Sequence, residues 1–217
     1  MLDWLFRKSN FYRFQDSFGF SAAAVSTAIQ DAIRARMEVN ETVLLLAHFP
    51  DRLSDLEKML DQANIPFEIG TKQLDEVAIA NLREEVPNHV ILTMAEMLNR
   101  SGQKPLRKNE PSVAVMIAER HPMPKYDQAI VDWSQWLPFP VQLGYFMSLD
   151  DPVVSYAIND QVKVLLSQFG MGENELVTSN LVSRRIERVL KRMAKNVVRE
   201  VTQDSAAEWL EANYLSE

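Results

Sequence analysis

Two uninterrupted apolar runs, VLLLA at Val43–Ala47 and VAVMIA at Val113–Ala118, constrain this chain more than any other feature. A strand with one wet face alternates polar and apolar residues, whereas a strand covered on both faces does not. Each run therefore predicts a buried strand of a parallel sheet with helices above and below it. The segments between them carry helical periods. Ser21 is placed to cap a helix over Ala22 to Met37, whose Val25, Ile29, Ile33 and Met37 recur every fourth residue on one face. A second helix, capped by Asp51 or Ser54, turns Leu53, Leu56, Met59 and Leu60 inward and ends at Asn64. Pro66 to Ile69 then reads as a short strand, Leu74 to Glu85 as a helix with Val77, Ala78 and Leu82 on one side, and His89 to Thr93 as a further strand. Short apolar runs alternating with helical periods predict an α/β fold with a mainly parallel sheet.

The second half continues the pattern and then leaves it. Tyr126 to Trp136 reads as a helix closed by Pro138 and Pro140, and Val141 to Ser148 as a strand. Pro152 sits where a first-turn proline is tolerated, opening a helix toward Phe169 with Gly170 as its stop. From Asn180 onward Val182, Ile186, Val189, Leu190, Met193, Val197 and Val201 form one helical stripe. Between Arg184 and Arg199 that helix carries seven cations against one acid, Glu187. Two readings stand: a scaffold helix with solvated charges, or a membrane-surface or RNA-binding element. The organisation predicted is an aromatic-rich segment over 1–20, an α/β domain over 21–178 and a helical tail over 179–217. The first segment holds Trp4, Phe6, Phe11, Tyr12, Phe14, Phe18 and Phe20 among Arg7, Lys8 and Arg13. It packs on its own domain or on a second copy, or else anchors the chain at a membrane face or partner groove.

Composition removes several function classes. The chain has 217 residues, 47% of them hydrophobic, which suffices for a buried core. Cysteine is absent, so disulfides, thiolate metal sites and cysteine nucleophiles are excluded. His48, His89 and His121 stand far apart without ligand spacing, and no metal is expected. A net charge of -7 and a pI near 5.1 argue against nucleic acid as partner. No apolar run approaches a spanning length of about 18 residues, and the N-terminus lacks the apolar core of a signal peptide. The expected location is the cytoplasm, with peripheral attachment to a membrane left open.

Catalytic constellations are weak. The phosphate-cradling signature GxxxxGK[ST] does not occur in the chain. Asp150 and Asp151 are adjacent at a strand end, where neighbouring side chains point apart. Ser148, His121 and Asp127 make a nominal triad without the glycines of a nucleophile elbow. Trp133 and Trp136 share one helix face ahead of the bend Pro138–Phe139–Pro140. They either complete the core or form a hot spot for a protein partner.

The frame from Glu119–Arg120–His121 to Ser148–Leu149–Asp150–Asp151 resembles the end of the second motor lobe of SecA, the bacterial protein-export ATPase. The run from Val43, VLLLAHFPDRLSDLEKMLDQANIPFEIGTKQ, is similar to another block of that lobe. Gln168–Phe169–Gly170–Met171 with VTSNLVSRRIERVLKRM is similar to its KLGM turn and the start of its scaffold helix. Together the blocks cover roughly Ala22 to Asn196. The resemblance implies a RecA-like lobe, but the family's arginine-rich core QLRGRSGRQG falls on Val131, Trp133 and Trp136 at its arginines and on Asp132, Gln135 and Pro138 at its glycines. An arginine finger is worth three to five decades in rate, and neither valine nor tryptophan supplies its charge. In the family's GRG-bearing loop only Arg100 and Gly102 persist, within VILTMAEMLNRSGQKP. The resemblance implies a non-catalytic homologue, a protein-interaction or regulatory module without cofactor, able to form a homo-oligomer. Trp133, Trp136, Phe139, Trp4 and Phe6 are its candidate partner contacts. The alternative is one half of a split ATPase that binds ATP with a Walker-containing partner through Arg100 or Arg120.

Overall fold

Strand Thr42–Ala47 is buried at every residue, as an uninterrupted apolar run requires. A computed structural model of the chain describes residues 11–85, 90–100, 112–158, 164, 172 and 175–215. In chain order the elements are β1 (Phe11–Arg13), β2 (Ser17–Gly19), α1 (Ala22–Glu38), β3 (Thr42–Ala47), α2 (Pro50–Gln62), β4 (Glu68–Gly70), α3 (Glu76–Glu85) and β5 (Val90–Met94). They continue with β6 (Val113–Ile117), α4 (Pro124–Trp136), β7 (Val141–Ser148), α5 (Pro152–Ala157), β8 (Leu176–Thr178), α6 (Asn180–Asn196) and α7 (Ala206–Leu210).

The strands run β4-β5-β3-β6-β7, and both β1 and β2 lie along the outer edge of β7. Every pairing among the described residues is parallel except that of β8 with β2. This is the α/β fold with a mainly parallel sheet read from the sequence. Odd and even residues of β3 go to opposite faces, as the two-residue strand period dictates. Val43 and Leu45 pack with α1 and α2, whereas Leu44 and Leu46 join the core under α3 to α7. Each fully buried leucine or isoleucine of these layers contributes about 1.5–3 kcal/mol. Two helices do not cover one face of so wide a sheet. Beside α1 a groove of about 420 Å³ remains, bordered by Tyr12, Phe14, Arg36, Gln142 and Gly144.

The helix starts follow local chemistry. The amide of Ala24 donates to Ser21 Oγ at 3.2 Å, the cap expected of Ser21. At α2 the expected cap by Asp51 or Ser54 is not made. Phe49 is the N-cap and Pro50 takes the first turn, where its missing N–H costs nothing. Asp75 starts α3 by accepting from the amides of Val77 and Ala78 at 3.0 and 2.8 Å. That start rotates the helix, so Val77 is 45% exposed and Ile79 and Ala80 are buried in its place.

Residues 11–19 are not an appendage. β1 and β2 extend the sheet beyond β7, and Phe18 is fully buried in the main core. A Cβ at Gly19 would stand 2.8 Å from Val25 Cγ2, so this strand approaches α1 as only glycine permits. Nor does the tail have a core of its own. Val182, Ile186, Leu190 and Met193 of α6 and Trp209 of α7 belong to the same cluster as β6 and β7. The predicted stripe stops short of Val201, because α6 ends at Asn196 and the amide of Val201 donates to Asn213 Oδ1 at 2.6 Å. The expected single helix from Pro152 to Phe169 is not formed: α5 ends at Ala157, because Ile158 takes an extended backbone (φ -118°, ψ 124°); the stop at Gly170 and the turn at Gln168–Met171 lie outside the described residues. His89 does too. Among the described residues, no helix is long and apolar enough to cross a membrane.

Candidate functional site at the carboxyl ends of the central strands

In an open α/β sheet, ligands enter the crevice beyond the carboxyl ends of the strands, where the strand order reverses. Here that point lies between β3 and β6. The chain leaves β3 through His48 and Phe49 into α2, and leaves β6 through Ala118, Glu119, Arg120 and His121 toward α4. A helix N-terminus offers free amides to an anion. Glu119 fills that place from within: its Oε1 accepts from the amides of His48 at 2.7 Å and Phe49 at 3.1 Å. Burial pushes the Glu119 carboxyl up to about 7, against the opposing pull of His48, Arg52 and the two amides. Arg52 crosses the same gap, donating through Nη2 to the carbonyl of Ala118 at 3.0 Å.

One layer deeper lies an ion network that composition alone does not reveal. Arg120 is 5% exposed and donates from Nη1 to Asp127 Oδ2 at 2.9 Å and from Nη2 to Asp16 Oδ2 at 2.6 Å. Its guanidinium lies over the ring of Tyr145, 3.8 Å from the centroid. Burial opposes its charge, but Asp127 and Asp16 outweigh that and raise the Arg120 pKa above its ordinary value. Burial would likewise raise Asp127, yet Arg120 and His48 hold its carboxyl below the usual range. The other Asp127 oxygen, Oδ1, meets His48 Nε2 at 2.8 Å. A charge buried this deeply survives only when paired, and Arg120 has a carboxylate on each of its Nη atoms.

The tail closes the crevice from above. The His121 ring stacks on Phe49 with centroids 5.0 Å apart, and Trp209 of α7 meets it edge-on at 5.7 Å. Its Nδ1 accepts from the amide of Met123 at 2.9 Å. Burial, then the neighbouring His48, lowers the His121 pKa to about 3, so the ring is neutral. Glu200 pins this cover, accepting from Lys125 Nζ at 2.6 Å, Tyr126 Oη at 3.1 Å and Trp209 Nε1 at 3.2 Å.

The candidates named from sequence fare differently. Arg120 is withdrawn from phosphate contact, because both of its Nη atoms are spent on carboxylates. Arg100 is exposed and lies over the Trp136 ring, 5.6 Å from its centroid. Trp133 and Phe139, at 3% and 2% exposed, are core residues and not a partner surface. The Trp133 indole donates to the carbonyl of Asn99 at 2.7 Å, tying down the strand-end loop that carries Arg100. Trp136 is half-buried; Trp4 and Phe6 lie outside the described residues. The nominal triad is not assembled: among the described residues no hydrogen bond joins Ser148, His121 and Asp127, and Ser148 Oγ accepts from the amide of Asp150. Asp151 accepts from the amide of Ser148 at 2.6 Å, which makes this acidic pair part of a turn. Burial pushes the Asp151 carboxyl up to about 6. Among the described residues no group of three or more His, Asp or Glu is placed to hold a metal ion.

Asp16, His48, Glu119 and Tyr145 were not singled out in the sequence as a set. One signal was available: Glu119–Arg120–His121 directly follows a buried strand, and three polar residues at that position mark the carboxyl-end crevice.

No protein-family model matches the chain. It is 33% identical over 73 residues to the protein translocase subunit SecA of Dichelobacter nodosus (strain VCS1703A), a match covering 34% of this chain and 8% of that protein. A crystal structure of the C-terminal part of the Fun30 ATPase domain superposes with a TM-score of 0.40 and 14% identity, over 78% of this chain and 53% of that one. The chain is thus distantly similar in sequence, over a third of its length, to a protein translocase subunit.

Proposed function

We propose that this chain is a non-catalytic homologue of a SecA-type motor lobe, acting as a protein-interaction or regulatory module without a nucleotide cofactor. Glu119 carries the reading. Its carboxylate sits on the amides of His48 and Phe49, at the point where a parallel α/β sheet receives an anionic ligand. A phosphate brought there finds both amides already taken by Glu119, under a lid formed by His121 and Trp209. Of the two guanidiniums at hand, Arg52 is engaged by the carbonyl of Ala118, and Arg120 is held by two carboxylates and is not free to follow a developing phosphate charge. A lobe closed in this way acts through its surface. The similarity to a translocase subunit makes protein export the process in which a partner is first sought.

Calorimetric titration with magnesium ATP tests the reading. No saturable heat and no turnover are expected; saturable binding displaced by Glu119→Ala or Arg120→Ala overturns it. Arg100 favours the rival, a split motor, because it is an exposed cation. ATP turnover that appears only with a Walker-containing partner and is lost in Arg100→Ala decides for that rival.

A further inference from the structure

Helix α6 has two sides of opposite chemistry. Successive helical residues turn by about 100°, which sets Leu181, Arg184, Arg188, Lys191, Arg192 and Lys195 on one side and Val182, Ile186, Leu190 and Met193 on the other. The second set is buried in the core with β6 and β7. The first set is exposed throughout, and among the described residues none of its five cations forms an ion pair. Arg185 is engaged differently, donating from Nε to the carbonyl of Ala157 at 2.8 Å. From Arg184 to Arg199 seven cations and one acid, Glu187, leave +6 within a chain of net charge -7, so the remaining residues carry -13. The exposed Asp55 and Asp61 belong to α2, on the opposite face of the sheet. A helix is about 10 Å across, so these acids lie beyond the Debye length of about 8 Å from the α6 stripe.

The shape of this face selects among polyanions. From Arg184 to Lys195 the stripe is about 16 Å long at 1.5 Å per residue. The space between its side chains, about 490 Å³, is bordered among the described residues by α6 alone. With no second wall it lacks the groove that cradles a peptide strand or helix. A flat partner reaches every cation at once. Leu181 is 80% exposed near the start of the helix and Val198 is 100% exposed just past its end. A nucleic-acid backbone gives these aliphatic side chains no counterpart, whereas the boundary between lipid headgroups and acyl chains takes cations and aliphatic groups together. Because its apolar side is already in the core, α6 lies on such a surface and does not insert into it.

We propose that α6 docks this chain on an anionic lipid membrane surface, with Arg184, Arg188, Lys191, Arg192 and Lys195 over the headgroup phosphates and Leu181 and Val198 at the headgroup boundary. The face is separate from the crevice closed by Glu119 and does not depend on the function proposed above. Its test is flotation of the whole chain with vesicles of equal parts phosphatidylglycerol and phosphatidylcholine, against vesicles of phosphatidylcholine alone, in low and in high sodium chloride. Saturable binding to the anionic vesicles only, lost at high salt, is expected. Each cation near an anionic surface is worth about fivefold in binding, so Arg188→Gln combined with Arg192→Gln weakens it about 25-fold. Glu187→Gln, which removes the acid of that stretch, strengthens it; Lys58→Gln on α2, across the sheet, leaves it unchanged. All four side chains are exposed, and far-ultraviolet dichroism checks that each variant keeps the fold. No binding at low salt, equal binding to both vesicles, or binding that survives the paired substitution overturns the proposal. So does a DNA duplex or polyglutamate bound more tightly per charge than the anionic vesicles, which would assign the face to nucleic acid or to an acidic protein.

Discussion

The carboxylate of Glu119 lies 2.7 Å from the backbone nitrogen of His48, bridging the ends of β6 and β3 across the reversal point of the sheet. A group normally charged in water is thus placed where its proton is retained to about pH 7. Because the folded pKa is raised above the ordinary 4.5, the unfolded chain releases this proton first as pH rises. Stability from Glu119 is therefore full below about pH 4.5 and declines through about pH 7. Glu119→Gln keeps an oxygen for both amides and cannot ionise. Urea midpoints from pH 4.5 to pH 8 should fall less with pH in the variant, the difference reaching on the order of 3 kcal/mol. Parallel curves would remove Glu119 from this role.

Arg120 holds Asp16 and Asp127 apart in sequence and together in space. Removing the cation leaves two buried carboxylates facing one ring, so Arg120→Met should destabilise by about 3–5 kcal/mol. Arg120→Lys should recover little, since an ammonium cannot span both acids in the guanidinium plane. Asp16→Asn in the Arg120→Met background should cost less than Asp16→Asn alone, and a double-mutant cycle by urea unfolding measures that coupling. Additive losses would show that the two ion pairs act independently.

The sheet was legible because its signal is local. Val43–Ala47 and Val113–Ala118 are apolar without interruption, and only burial on both faces accounts for that. β1 and β2 were not legible, because three residues hold too little of a two-residue period and their pairing partner, β7, lies far along the chain. The site is of the second kind. Asp16, His48, Glu119 and Asp127 are scattered over more than a hundred residues and acquire meaning only when the strand order brings their loops to one end. Trp133 shows the limit from the other side: its spacing with Trp136 told which helix face it occupies, but not that the core lay beneath that face.

His121 should behave as a neutral ring throughout the physiological range. Burial and His48 lower its pKa from 6.5 to about 3, so the unfolded chain takes up a proton that the folded chain refuses. The sign is opposite to that of Glu119. Stability from this residue is full above about pH 6.5 and is lost as pH falls toward about 3. The His121 ring carbon shifts should not move between pH 5 and pH 8 in an NMR titration, and His121→Phe should unfold less readily in acid than the parent chain. A His121 titration midpoint near 6.5 would mean that the ring is solvated and the lid over it open.

Trp209 determines whether the tail is part of the fold or only lies on it. Its ring is 1% exposed, packs edge-on against His121 and donates to Glu200, which in turn holds Lys125 and Tyr126 on α4. Trp209→Ala removes a large buried side chain and should cost about 3–5 kcal/mol of global stability. Glu200→Gln keeps the tryptophan but leaves one acceptor oxygen where two serve Lys125, Tyr126 and Trp209, so it should cost less, about 1–2 kcal/mol. The two variants separate two cases in hydrogen exchange. If the tail and the sheet unfold as one unit, Trp209→Ala accelerates exchange of β6 amides as much as those of α7. If instead only residues 200–215 lose protection while β6 stays protected, the cover over His121 opens by itself and the crevice is gated.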